Sequence, residues 1–343
     1  MNDHQWKTLV SVIHGEAPDA LPTGFIIDSP WLPGWAGSTI LDYLTDDRLF
    51  LESNLKAIRT FPDSLLLPGF WPEYGMCTEP SAFGAVTRFE ENEFPFAKKT
   101  LRCAPDVEFL EKPDPRKDGL LPFAIKRLQH LQPEILKAGH RIRFAVARGP
   151  LNIASFLMGA TEFMTALKTD AELMHRLLEI TTAFLVEWIE YQRECFPTID
   201  GILLLDDMVG FIGRSDFEVF AFPYLKRIFS ADVTVKFFHN DAPCKACAPY
   251  LAEIGINLLN FGIQHTLAEM KQWTGNKVTL MGNIPPRDVL AAGTPDDVVR
   301  SVGELLTGIE DRSRLIVSCG GGMPPGAPTE NIRALISAVA SLR

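Results

Sequence analysis

The sequence predicts an α/β protein built as a (β/α)8 TIM barrel. Three observations carry this. There are eight short apolar runs of strand length, helical patterns lie between most of them, and polar residues of catalytic type follow the runs. Several runs are continuously apolar rather than alternating, as expected for parallel strands covered on both faces. Strand and helix repeated eight times is the arithmetic of the barrel. A doubly wound open sheet uses the same alternation and is the structural competitor. The 343 residues are read as one barrel domain over 1–343, since such barrels commonly exceed average domain length.

The first two strands are expected at Phe25–Asp28 and Ser64–Leu67. The segment Pro68–Gly139, rich in Pro, Phe and Glu, then breaks the repeat. It is read as a long insertion, about residues 68–139, between the second and third strands, ending in a helix at Pro122–Ala138. Such an insertion sits over the active-site mouth or is a plain structural elaboration. The third strand is Ile142–Ala147. A long helix follows at Thr165–Arg193, with apolar residues at Leu167, Leu173, Leu177, Leu178, Ile180 and Phe184. Gly201–Leu205 is the fourth strand, followed by a helix at Asp216–Phe229 broken near Pro223. Val233–Phe238, Ile256–Phe261, Lys277–Met281 and Arg314–Ser318 complete the eight. Thr294–Gly308 opens with Thr-Pro-Asp-Asp, a cap with an allowed first-turn proline and acidic residues. Thr329 stands in the capping position of a last helix, Thr329–Leu342.

Composition bounds the function. Hydrophobic residues make up 46% and charged residues 22%, the balance of a globular protein with a large core. The net charge of −10 argues against nucleic acid or an anionic membrane as the main partner. The opening MNDHQWKTLVSVIHG does not read as a signal peptide, so none is expected, and no stretch of about 18 apolar residues is present. The six cysteines are scattered, so thiols or metal ligands are expected rather than a disulfide framework, with a cytoplasmic location.

In a (β/α)8 barrel the chemistry sits at the C-terminal strand ends. The runs are followed by Asp28, Pro68, Arg148, Asp206 with Asp207, His239 with Asn240 and Asp241, a turn after Asn260, Asn283 and Cys319. Imidazole and thiolate are good zinc donors, and a catalytic zinc takes three protein ligands and keeps one position open. Zinc held by His239, Asp241 and Cys319 is the minimal expectation; a core histidine and an inert buried cysteine is the plain alternative. Asp206-Asp207 offers paired carboxylates for acid/base work, or a loop cap. Arg148, Asn283, Trp31 and Trp71 are the candidate substrate-binding residues, with Trp35, Phe70 and Tyr74 as further loop aromatics. Cys244 and Cys247 form a C-x2-C without a second pair, read as incidental structural cysteines. The Gly/Pro-rich loop after Ser318 matches no nucleotide fingerprint.

Taken in order, several segments resemble the uroporphyrinogen decarboxylase superfamily. They are Arg148-Gly-Pro-Leu-Asn-Ile-Ala-Ser, Leu203-Leu-Leu-Asp-Asp, Pro223-Tyr-Leu-Lys-Arg-Ile, His239-Asn-Asp, Ala252-Glu-Ile-Gly-Ile-Asn, Met281-Gly-Asn-Ile and the stretch from Cys319-Gly-Gly-Gly-Met to Thr-Glu-Asn-Ile. The resemblance is good from Arg148 to the C-terminus and loose before it. It implies one of two branches. The decarboxylase branch works without metal and carries an arginine-rich N-terminal segment; here the corresponding stretch from Asp28 to Trp35 has no arginine. The other branch contains zinc methyltransferases that work with corrinoid proteins and is similar in keeping His239 and Cys319. Asp241 stands where that branch has a cysteine, which suits polarising an ether or alcohol oxygen, and Glu73 or Glu79 is a candidate additional donor. The resemblance therefore implies methyl transfer between a small methylated substrate, such as a methyl ether, and a corrinoid on a partner protein, since no D-x-H-x-x-G motif is present to hold it here. A homodimer is the candidate assembly. A metal-free decarboxylase and a non-catalytic binding protein are the alternatives.

Overall fold

All eight apolar runs form parallel strands, and their pairing settles the sheet. In the computed structural model, which describes all residues except 17–19, 28–29, 72, 308 and 342–343, the strands are β1 (Gly24–Ile26) and β2 (Leu65–Leu67), a short insertion hairpin of β3 (Thr87–Arg88) and β4 (Phe96–Ala97), then β5 (Phe144–Arg148), β6 (Gly201–Leu205), β7 (Val235–Asn240), β8 (Leu258–Phe261), β9 (Thr279–Ile284) and β10 (Leu315–Cys319). Strands β5 to β10 lie side by side in sequence order. A doubly wound sheet would reverse that order at a switch point. Strand β1 pairs with β2, and a single parallel bridge from Thr23 to Val317 joins this pair to β10. The result is a TIM barrel. Among the described residues no ladder joins β2 to β5. Asp28, expected at the first strand end, lies outside the described residues.

The register sorts side chains into layers. Val146, Leu203, Phe237 and Leu258 stand opposite one another across four strands. They pack with Ile26, Leu65, Leu67, Phe144, Val235, Met281 and Ile316 as the barrel interior. The alternate residues, such as Ala145, Ile202, Phe238, Leu259 and Val317, face outward into the larger core under the helices. This double burial explains why the strands read as continuous apolar runs.

The first helix, Asp3–His14, seals the N-terminal end of the barrel. Asn2 caps it through a capping box with Gln5, and Gly15, at φ +82°, ends it. Its Trp6, Leu9, Val12 and Ile13 complete the interior cluster, Trp6 lying edge-on to Phe144 with ring centroids 5.6 Å apart. Met1 and Arg141 exchange backbone hydrogen bonds, and Thr279 Oγ1 donates to the Val12 carbonyl.

Two helices differ from the expected bounds. Thr165–Arg193 is not continuous: one helix ends at Thr169 and the next runs Ala171–Cys195. Asp170 sits between them in a non-helical conformation, its carboxylate accepting a hydrogen bond from Thr169 Oγ1 at 2.6 Å. This local competition with the helical ladder is characteristic of Thr and Asp. The helix near Pro223 breaks at Ala221, into Arg214–Phe220 and Phe222–Ile228. The expected C-terminal helix of the insertion spans Leu121–Lys137.

Truncating the plug should be costly: Trp6→Ala is expected to lower unfolding stability by about 3–5 kcal/mol. In the same urea titration Phe109→Ala, at an 82% exposed site, is expected to change it by less than about 0.5 kcal/mol. Stability should also fall with acid. Burial, with the Met1 amino group second, lowers the His140 pKa from 6.5 to about 4. The unfolded chain therefore takes up a proton that the folded chain refuses, and stability drops as pH falls from about 6.5 to about 4. Thermal melts across that window should show the slope in the wild type and a shallower one in His140→Phe.

Candidate functional site

One step beyond the apolar layers, the register brings polar residues to the mouth. Arg148 stands opposite Leu205, Leu205 opposite His239, His239 opposite Asn260, and Asn260 opposite Met281. The side chains of this row lie on the interior face, so the last turn of the barrel carries an imidazole beside an amide. His239 Nδ1 lies 2.8 Å from Asn260 Oδ1. Asn260 directs its Nδ2 to the carbonyls of Met281 at 2.9 Å and Cys319 at 3.4 Å. With both amide protons directed to carbonyls, Asn260 presents its oxygen to the ring. Nδ1 of His239 is then the hydrogen-bond donor and Nε2 is turned to the cavity.

Nε2 faces two carboxylates, 3.7 Å from Asp241 Oδ2 and 4.0 Å from Asp207 Oδ1. Asp207 Oδ1 also accepts the Asp241 backbone N–H at 2.7 Å, tying the β6 and β7 loops together. Both carboxylates are open to the cavity, with 39% of the Asp207 and 50% of the Asp241 side chain exposed. The recess raises the Asp241 pKa by desolvation; His239 opposes the shift and Asp207 adds to it. Asp241 also packs against the loop after β10. Gly321 has φ +84°, a left-handed conformation that favours glycine, and a Cβ at this position would lie 2.6 Å from Asp241 Oδ2 and push the carboxylate aside.

The adjacent carboxylates Asp206 and Asp207 part company. Asp206 still belongs to the ladder, its N–H bonded to the His239 carbonyl, and its side chain points outward. It is wholly buried and accepts hydrogen bonds from the Leu151 and Asn152 N–H groups at 2.9 and 3.0 Å, at the start of the helix Pro150–Met158. Burial pushes its pKa well up, with the Asp207 charge adding and the N–H groups opposing. A Cβ at Gly149 would overlap this carboxylate, so the glycine makes the contact possible. Asp206 therefore positions a helix, and Asp207 faces the cavity.

Two cavities open at the mouth and share Leu205. One, of about 230 Å³, is lined by His239, Asp241, Arg287, Gly320, Met323 and Pro325 among others. The other, of about 490 Å³, is lined by Trp71, Met76, Phe94, Arg148, Asp207 and Met208 among others. Met76, Phe94, Ala97 and Lys99 come from the insertion, which thus forms one wall of the mouth.

The remaining candidates are placed as follows. Arg148 is buried and pairs with Glu73 at 2.6 Å and Glu79 at 3.5 Å, beneath the Trp71 ring. Glu73 and Glu79 thus face Arg148, not His239. Trp31 is buried, stacks on Trp35 and donates from Nε1 to the Ala327 carbonyl, lining neither cavity. Asn283 donates to the carbonyls of Gly262 and His265 and so holds the loop after β8. Cys319 is wholly buried, its thiol against the carbonyls of Gly321 and Gly322 in the same loop that Asp241 touches. Cys244 and Cys247 are buried thiols behind Asn240, whose amide donates toward both sulfurs. Asn260 and Arg287 also stand at the mouth, each without a motif in the sequence that marks it. The register of two strand-end residues, His239 and Asn260, was the signal available for the first.

Asp206→Ala should cost about 1–3 kcal/mol, because two buried N–H groups lose their acceptor. Asp207→Ala should cost less than about 1 kcal/mol, so urea unfolding of the pair separates the structural carboxylate from the presented one. Gly321→Ala should displace the Asp241 carboxylate and destabilise the fold by on the order of 1 kcal/mol or more.

Comparison with known proteins agrees with this architecture. The chain is 20% identical to a methyltransferase from Methanosarcina mazei, with a TM-score of 0.83 over 98% of both chains, a likeness of fold. It is 23% identical over 308 residues to a uroporphyrinogen decarboxylase from Thermosynechococcus vestitus, covering 86% of this chain and 85% of that one. It is 25% identical over 320 residues to another from Methylobacillus flagellatus, covering 89% and 86%. The family model for uroporphyrinogen decarboxylase (URO-D) matches residues 7–342, and the chain belongs to the URO-D family.

Proposed function

We propose that this protein is a zinc-dependent methyltransferase that moves a methyl group between a small methylated substrate, such as a methyl ether, and a corrinoid carried by a partner protein. The observation that carries the reading is the setting of His239: its Nδ1 lies 2.8 Å from Asn260 Oδ1, and its Nε2 faces the carboxylates of Asp241 and Asp207 at 3.7 and 4.0 Å. With the ring neutral and its proton on Nδ1, Nε2 and the two carboxylates are all lone-pair donors. Such a set of donors is satisfied by a shared cation, and an amide or carbonyl behind a ligating histidine is the usual orienting partner.

His239 and Asp241 would hold the ion, with Asp207 a further oxygen donor within reach. Cys319, expected as the third ligand, has the outward parity of Val317 and is buried in the core under the helices, outside the lining of the His239 cavity, so it supports the loop and does not face the ion. Among the described residues no group of three or more His, Cys, Asp or Glu side chains forms a ready metal cage. The separations of 3.7 and 4.0 Å are wider than the roughly 3.4 Å between donors of a tetrahedral zinc with bonds near 2.1 Å. Both carboxylates are partly exposed and have rotamer freedom to close that gap. Bound zinc supplies a Lewis acid for the heteroatom that bears the methyl group. The protein's own residues do the rest. Asn260 fixes the imidazole. Asp207 stands beside the cavity to give or take a proton at the leaving heteroatom, while Asp206 holds the helix behind it. The insertion wall, with Trp71, Met76 and Phe94, limits water at the mouth.

A metal-free decarboxylase is the second reading, favoured by the names of the relatives. In it a proton takes the cation's place on Nε2, and His239 with Asp207 handles protons.

Metal content separates the two. The purified protein is expected to hold one zinc per chain. His239→Ala and Asp241→Ala should weaken zinc binding at least tenfold in a chelator competition, whereas Cys319→Ser should leave it within about threefold. Methyl transfer from a methyl ether to reduced corrinoid protein should fall at least a hundredfold in His239→Ala. Stoichiometric zinc absent after refolding with added metal, or turnover indifferent to chelator, would leave the decarboxylase reading.

A further inference from the structure

Three Lys or Arg residues line the two mouth cavities: Lys99, Arg148 and Arg287. Lys99 pairs with Glu162. Arg148 is locked between Glu73 and Glu79. Arg287 is different. It is exposed, and its side chain makes no ion pair or hydrogen bond among the described residues. It lines the same cavity as His239 and Asp241, yet stands beyond ion-pair distance from Asp241.

The backbone under Arg287 is stiff. It follows Pro285 and Pro286, whose rings preset φ, and lies in the π-helical turn Pro286–Ala291. Pro324 and Pro325 contribute another part of the cavity wall. A guanidinium on this rim is a planar fork of donors matched to a carboxylate. The cavity thus has two chemically distinct poles. One is the imidazole and carboxylate of His239 and Asp241. The other is a cation with no acid of its own. At about 230 Å³ it has the scale of a small molecule that touches both.

We infer that Arg287 is a specificity-determining residue that holds a carboxylate on the substrate, so that the substrate class is small methylated carboxylic acids. The inference rests on the reading that this cavity receives the methylated substrate. It assigns the reacting heteroatom to the His239 pole and the acid group to the Arg287 pole.

Calorimetric binding of methoxyacetate and of its neutral counterpart methoxyacetamide tests this without turnover or corrinoid. The wild type should bind the anion at least tenfold more tightly than the amide. Arg287→Gln should abolish that preference and leave amide affinity unchanged, and Arg287→Lys should restore part of it. Equal binding of the two compounds, a preference that survives Arg287→Gln, or binding of neither compound overturns the assignment. The two readings fail separately. An intact preference with no methyl transfer counts against the transfer chemistry alone. Transfer from a neutral ether with kcat/KM untouched by Arg287→Gln counts against the role of Arg287 alone.

Discussion

The site depends on strand register. In a parallel ladder, residues opposite one another share a face, so a run of register partners is a ring of side chains at one depth. Here the rings below the mouth are apolar, and the last ring carries His239 and Asn260. A slip of one residue on β7 would turn His239 into the helix shell and bring Asn240 inward. The apolar rings forbid the slip, because the same move would expose Phe237 to the wrong layer. The packed interior thus fixes the chemistry above it, and the helix Asp3–His14 completes that interior from below.

Polar groups at the mouth fall into those already occupied and those presented. Asp206, Asn260, Asn283 and Arg148 satisfy N–H groups, carbonyls or carboxylates of the protein itself. Asp207, Asp241 and Arg287 face the cavities. The first set holds loops from different strands at fixed distances, which is what positions the second. Buried polar groups of this kind cost free energy unless fully matched, and here the matching is between neighbouring loops.

Much of the fold was legible because doubly buried strands announce themselves as apolar runs, and a barrel has many of them. The break at Asp170 was not, since apolar spacing continues across it on both helices. Of the residues that follow the strands in sequence, the structure brings His239, Asp241 and Asp207 together at the barrel mouth. Sequence position alone does not separate Asp206 from Asp207, although strand alternation carries the answer: Leu203 and Leu205 face inward, so the next residue faces out and the one after faces in. The same alternation gives Asn240 the outward place between His239 and Asp241. Trp31 and Asn283 were beyond sequence, because only tertiary packing shows that their polar atoms meet the Ala327, Gly262 and His265 carbonyls. Arg287 lacked a signal too, since an arginine after two prolines looks like any surface loop.

Among the described residues no hydrogen-bonded ladder joins β2 to β5, and side chains fill the joint: Trp71, Arg148, Glu73 and Glu79 above, with Phe144 and Val146 in one apolar cluster with Leu65 and Leu67 below. Elsewhere the circumference is dictated by interstrand spacing, which no substitution alters. At this joint it is dictated by side-chain bulk. The girth of the opening can therefore drift in evolution through ordinary residue exchange, without any strand being added, lost or re-paired, and a long insertion anchored at that gap drifts with it.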